Sequence, residues 1–253
     1  MIKIYFLGSG AASPSIRRWH SSIAIEVDNE IGLLDCGEGC QIRLQQVGLS
    51  PLKIRFIAIT HLHGDHFVGL LPLLQSMTLF NRKDTLYIIA PEEIRDLIEI
   101  FLKISKHKLS FNLEYKEPAN EYVFDRISIK GFRVCHSIDS FGYLVEINYR
   151  NNVHKICYTG DTRPCEEIVN YCRKANILIH DATFSSEDSG EAVISGHSTV
   201  TEAAEIALKA EVERLYLTHL SSRYRDEEKL LSEAKRIFKS ARLVKDLDLI
   251  IIP

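Results

Sequence analysis

The chain has 253 residues, 45% of them hydrophobic and 26% charged, with a formal charge of −3. That length and apolar content suit one large α/β domain, residues 1–253, with a sizeable core. The slight acidity argues against a molecule-wide basic grip on nucleic acid and leaves only local basic faces, and no apolar run approaches the roughly 18 residues of a membrane helix.

Met1 leads straight into a strand-like run, without the apolar region and cleavage site of a secretory leader, so a cytoplasmic chain is expected. Cys36, Cys40, Cys135, Cys157, Cys165 and Cys172 contain no CxxC pair and read as reduced thiols. Short runs rich in Ile, Leu, Phe and Tyr predict strands over 2–8, 21–27, 31–37 and 54–60. Helical apolar spacing follows over 69–80, with Pro72 tolerable near the first turn, and an amphipathic helix over 92–105 carries acids in its first turn. The second half repeats the plan, with strands over 127–137, 141–149, 154–160 and 177–184. A helix over 199–213 starts on a Thr199/Glu202 capping box, followed by a strand over 214–220 and a surface helix over 225–240. "IAITHL" near residue 60 is echoed by "LYLTHL" near 219. Two sheets packed face to face with helices outside satisfy this pattern.

The segment "THLHGDH" places His61, His63, Asp65 and His66 between two apolar runs. Two positions apart on an extended backbone, His61 and His63 point to the same side. Asp65 and His66 follow at a turn into a helix, aimed at a neighbouring point. Two nitrogens for one metal and an oxygen and a nitrogen for a second is a sensible division. Further ligand types end other apolar runs: His136 after "FRVC", Asp161 after "KICYTG" and His219 after "RLYLT". All share the C-terminal edge of a strand, where α/β sheets form their sites. Five imidazoles and two carboxylates favour zinc, with manganese or iron admitted. Two ions about 3.5–4 Å apart activate a water and polarise the substrate's electrophilic oxygen, so hydrolysis is the expected reaction class. Their charge also offsets the cost of burying these groups.

Together these residues resemble the metallo-β-lactamase superfamily, which implies a four-layer αββα sandwich. "FLGSGAASP", "LLDCGEGCQ", "ITHLHGDH", "HSIDSFGY", "YTGDTRP", "HDATF", "GHSTVTEAA" and "LTHLSSRY" resemble, in order, the motifs of ribonuclease Z, the endonucleases that remove 3′ trailers from precursor tRNA. The resemblance implies two zinc ions, one on His61, His63 and His136 and one on Asp65, His66 and His219, with Asp161 bridging. Asp65 is then also the proton acceptor for the attacking water, and His197 in "GHSTV" the acid that serves the leaving 3′ oxygen. Its carboxylate partner is Asp181, where the family has a glutamate one methylene longer. Glu38 is a further motif acid, as readily a turn residue as a site residue.

Two departures are larger. The family's P-x-K-x-R-N loop here reads "PSIRRW", keeping Pro14 and Arg18 but placing Ile16 and Trp19 at the Lys and Asn positions. The long tRNA-clasping arm between "FGY" and "TGDT" is absent. Substrate contacts are therefore sought in local basic runs, with Arg18 and Arg223 as candidates and Trp19 as a surface for base stacking or a core residue. RNA, above all precursor tRNA, is the expected partner, and a homodimer is admitted without being required. A phosphodiesterase for small or cyclic phosphoesters is the alternative; a thioester or lactone hydrolase and a non-catalytic RNA binder fit less well.

Overall fold

The computed structural model describes residues 1–253. Its first sheet contains β1 (Ile2–Gly8), β2 (Ser22–Val27), β3 (Glu30–Leu34), β4 (Ile54–Ala58), β5 (Leu86–Ile89) and β6 (Leu113–Lys116). The second contains β7 (Glu121–Phe124), β8 (Ile127–Arg133), β9 (Phe141–Tyr149), β10 (Asn152–Tyr158), β11 (Ile177–Asp181), β12 (Leu215–Thr218) and β13 (Ala241–Leu243). The last strand, β14 (Leu249–Ile252), returns to pair antiparallel with β1 at the edge of the first sheet. Each half begins as an antiparallel meander and turns parallel, at β3–β4 in one sheet and β10–β11 in the other.

Side chains sort between layers with the period of two that a strand imposes. Ile2, Ile4 and Phe6 enter the core between the sheets, together with Tyr143, Val145 and Ile147 of β9. Tyr5 and Leu7 face the other way, under α1 (Cys40–Gln46) and, after the one-turn α2 (Gly64–Phe67), under α3 (Leu70–Leu79) and α4 (Glu93–Ser105). On the far side, α5 (Glu166–Tyr171), α7 (Val200–Lys209) and α8 (Glu227–Ile237) cover the second sheet through Ile168, Val200, Ala204 and Leu230, with the short α6 (Ser189–Ser195) between. Three apolar clusters thus separate four layers, the expected αββα sandwich.

The Thr199 capping box is present with both of its reciprocal bonds. The strand expected over 127–137 instead ends at Arg133, where a turn closed by Val134 N–H on the Ser140 carbonyl takes over, so His136 lies on a loop. Asp161 likewise sits three residues beyond β10. Strands β5, β6, β7, β13 and β14 were not expected. They are three or four residues long, and β6 and β7 mix Glu and Lys with apolar residues at a sheet end. β9 and β10 are joined only through Arg150 and Asn151, both at positive φ, the two-residue turn whose twist suits a hairpin. No arm is inserted there.

Candidate metal centre

The site forms where both sheets present their C-terminal strand ends to one cleft. β4 is buried at every position but Arg55, and the extended residues after it carry His61 and His63. Gly64 then opens α2, bringing Asp65 and His66 round to the same cleft. Across it stand His136 after β8, Asp161 after β10, Asp181 at the end of β11 and His219 directly after β12. His219 holds φ at 60°, in the left-handed region, a strain of about 1–3 kcal/mol that the surrounding structure must sustain. Gly160, at φ 59°, aims Asp161; a Cβ there would lie 2.7 Å from the Thr60 methyl.

All seven expected ligands converge. His61, His63, His136 and Asp161 form one group and Asp65, His66, Asp161 and His219 another, each with its ligand atoms within 4.8 Å of one another. Asp161 divides its oxygens between them. Oδ2 lies 3.6 Å from His61 Nε2 and 3.9 Å from His136 Nε2, whereas Oδ1 lies 3.2 Å from His66 Nε2 and 3.3 Å from His219 Nε2. Asp65 Oδ2 is 3.3 Å from His219 Nε2 and 3.5 Å from His66 Nε2.

The hydrogen bonds behind these atoms decide what the groups can hold. His66 Nδ1 lies 2.7 Å from Asp35 Oδ2, His136 Nδ1 2.8 Å from the Gly196 carbonyl, His219 Nδ1 2.8 Å from Thr183 Oγ1 and His61 Nδ1 2.9 Å from Thr60 Oγ1. Each outward nitrogen is engaged, so each Nε2 turns inward, the arrangement that orients metal-bound imidazoles. His63 presents Nδ1, 3.0 Å from His61 Nε2 and 3.2 Å from His136 Nε2. Three ring nitrogens facing one point cannot all satisfy one another by donating protons. His66 Nε2 and Asp161 Oδ1, both buried, have no hydrogen-bond partner within the protein. Buried polar atoms are rarely left so. The donor set therefore fits metal ions.

Charge in the protein itself points the same way. Burial, reinforced by His66, pushes the His61 imidazolium down to about 2, leaving a neutral ligand. Burial pushes Asp161 up, but the imidazoles of His219 and His66 pull it well below the usual carboxylate range. Burial likewise opposes Asp65 ionisation, and its contacts with His219 and His66 more than reverse this. The His66 imidazolium, penalised by burial, is raised well above its ordinary value by Asp161 and Asp35, so a cation arriving at this point displaces a proton.

Against this cluster lies His197, just before α7 and 15% exposed. Its Nδ1 is 2.8 Å from Asp181 Oδ2, so the shorter carboxylate does reach. Asp181 is fully buried and receives further bonds from Thr162 N–H, Thr183 N–H and the Thr183 hydroxyl. Burial disfavours the His197 imidazolium, but the Asp181 carboxylate outweighs it and holds His197 up at about 9. Asp181 and His197 also approach Asp161 and His219, yet Nδ1 of His197 is spent on Asp181, leaving Nε2 as its working atom. His197 borders a cavity of about 470 Å³ together with His63, Asp65, His136, Asp161 and His219, and Asp181 lies behind it.

The remaining expectations divide. Arg223 reaches the cavity rim, its guanidinium 5.1 Å from the Phe184 ring and its Nη1 2.7 Å from Glu191. Arg18 does not offer itself as a free substrate contact, and that expectation is corrected. It is 5% exposed, and its guanidinium donates to Ser9 Oγ, the Val244 carbonyl and Glu227 Oε1. Glu38 is mostly exposed, 3.9 Å from His20. Asp35, present in a quoted motif but given no role, accepts from Thr60 N–H, the Thr60 hydroxyl and the Tyr158 hydroxyl besides meeting His66. Its one advance signal is an aspartate closing an apolar strand, the same mark that Asp161 carries.

Two stacked sheets flanked by helices, with a cluster of seven His and Asp side chains compatible with a metal site at their shared edge, define a metal-dependent hydrolase of the metallo-β-lactamase fold. The metallo-β-lactamase fold protein YhfI from Bacillus subtilis superposes with a TM-score of 0.84 over 98% of both chains, at 20% identity. "Ribonuclease Z" of Saccharolobus solfataricus is 37% identical over the whole of both chains, and the crystal structure of human tRNase Z, short form, matches at TM-score 0.86 and 32% identity over 99% of each. The family model described as Anti-Pycsar protein Apyc1 matches residues 2–241, so the chain also falls within the group it delimits. The chain belongs to the ribonuclease Z family. The alignment with the Saccharolobus relative spans 295 positions, 42 of which have no counterpart in the 253 residues here.

Proposed function

We propose that residues 1–253 act as one domain with two zinc ions per chain, Mn²⁺ or Fe²⁺ also suiting the donors, and cut the 3′ trailer from precursor tRNA. The family supplies the RNA. The observation that carries the chemistry is the His197–Asp181 pair, 2.8 Å apart, with His197 on the same cavity as residues of both candidate ligand groups. When bound, such ions polarise the phosphoryl oxygens and acidify the attacking water. Asp65, at the cavity wall, accepts that water's proton. His197, held as an imidazolium by Asp181, gives a proton from Nε2 to the 3′ oxygen as the phosphorus–oxygen bond breaks. The products are a 3′-hydroxyl and a trailer with a 5′-phosphate. Every group of the site comes from one chain, so this reading does not depend on the admitted homodimer. The cytoplasmic placement rests on the use of six cysteines as thiols.

A second reading, hydrolysis of small phosphodiesters, is favoured by the two-residue β9–β10 turn, which leaves nothing to clasp a large RNA. One assay separates them: a 3′-extended precursor tRNA offered to the zinc-loaded protein and to Asp65→Ala. Discrete Asp65-dependent cleavage at the trailer junction supports the first reading. Intact RNA beside robust hydrolysis of a small phosphodiester leaves the second.

A further inference from the structure

Next to the metal cavity is a second recess of about 430 Å³, walled by Pro14, Ser15, Ile16, Trp19, His20 and Glu38. The reaction above leaves it unused. Ala11, Ala12 and Ser13, immediately before it, line the metal cavity, so one continuous loop borders both spaces. His20 spans the wall between them, its Nε2 3.3 Å from the Ala12 carbonyl. The loop is fixed rather than free. Ser15 N–H donates to the Arg18 carbonyl and Arg18 N–H to that of Ser15, while the buried Arg18 guanidinium ties it to Val244 and Glu227.

Trp19 is the chain's only tryptophan. Its backbone N–H donates to Asp246 and its carbonyl accepts from Gly10. Its ring is seated 5.3 Å from the Arg43 guanidinium, itself held by the Leu7 carbonyl, Gln46 and Asp246. Gly39, at φ 76°, lets the ring in: a Cβ there would come within 2.1 Å of Cζ3. The aromatic surface is therefore immobilised before any ligand arrives, which reduces the entropy cost of binding. The recess carries the Glu38 carboxylate and neither Lys nor Arg, so it suits an uncharged ring bearing N–H groups better than a phosphate. Ile16, 99% exposed, stands at its lip.

We infer that this recess is a nucleobase subsite, in which a base adjoining the scissile phosphate stacks on Trp19 and presents its N–H edge to Glu38 while the phosphate stays on the metal side. The inference rests on the RNA reading for its substrate and on the recess for its place. Stacking of this kind is worth about tenfold in binding per base.

Because Trp19 is the sole tryptophan, tryptophan emission excited at the red edge, where tyrosine does not absorb, reports on the recess alone. Titrating the zinc-loaded protein with adenosine 5′-monophosphate should quench it saturably, and ribose 5-phosphate should not. In RNA cleavage, Trp19→Ala should raise KM about tenfold with kcat retained, Trp19→Phe should recover most of the loss, and KM for a p-nitrophenyl phosphodiester should not move. No quenching, equal quenching by both probes, or a folded Trp19→Ala protein with wild-type KM overturns the subsite and leaves RNA cleavage standing. Quenching by the nucleotide in a preparation that cuts no RNA keeps the subsite and removes the RNA reading.

Discussion

The floor and the rim of this cavity are built to different standards. On the floor four of the five clustered imidazoles have a partner behind them: Asp35 behind His66, Thr183 behind His219, Gly196 behind His136 and Thr60 behind His61. At the rim, Arg223 is half-exposed and its guanidinium is already paired with Glu191. The floor therefore settles the reaction class, whereas the rim makes few commitments to a substrate. That difference follows from burial: a group removed from water must have its hydrogen bonds arranged by the protein, and an exposed one has water instead.

The largest effect expected from breaking the floor is at Asp65. Asp65→Ala should lower turnover by about 10³-fold or more on RNA and small diesters alike, with an unchanged circular-dichroism spectrum. Retained turnover would remove Asp65 from the reaction. His197→Ala should cost about 10²–10³-fold on substrates with an alkoxide leaving group and little on p-nitrophenyl esters, which need no acid. Equal losses on both would refute the acid assignment. The pH dependence sharpens this. A group whose folded pKa is raised keeps its proton below that value, so the acid form of His197 persists to about 9 and is lost as pH rises through it. By the same sign, its pairing with Asp181 contributes stability that is complete below its unfolded value near 6.5 and fades between there and about 9. Asp181→Asn should move the alkaline limb of the kcat profile to lower pH without moving the acid limb.

Asp35 tests whether the layer behind the ligands matters as much as the geometry implies. Asp35→Asn keeps an acceptor for Thr60 and Tyr158 but removes the charge opposite His66. Metal affinity, read by competition with a chelator, should fall about 10–100-fold. An unchanged affinity would show His66 to be oriented by its own backbone.

These same residues show where sequence reasoning runs out. His61, His63, Asp65 and His66 are close in sequence, and His136, Asp161 and His219 each follow an apolar run, so the cluster that the fold brings together was visible as composition at strand ends. The four-layer order was visible because strands of alternating burial were separated by helices of the right period. Asp35 was not assigned, since its role exists only where the end of β3 meets a histidine 31 positions later. The Arg18 guanidinium is bound to a carboxylate 209 positions away, which no local pattern can announce. Strands β6 and β7 alternate too weakly in polarity to separate them from loop.

The smallest effect belongs to the rim. Arg223 donates to Glu191 at 2.7 Å in an exposed pair, worth at most about 1 kcal/mol, so its charge is partly neutralised before any RNA arrives. Arg223→Ala should therefore raise KM for RNA less than about fivefold, lowering the salt slope of binding by no more than about 0.7 for one lost single-strand phosphate contact. Glu191→Gln is the sharper variant, because it frees the guanidinium without removing it. If Arg223 meets a phosphate, Glu191→Gln should tighten RNA binding at low salt and steepen the slope, while p-nitrophenyl ester hydrolysis stays the same. If both variants bind RNA as the parent does, the rim makes no phosphate contact at this position, and recognition lies elsewhere, with the loop that carries Trp19 the next to test.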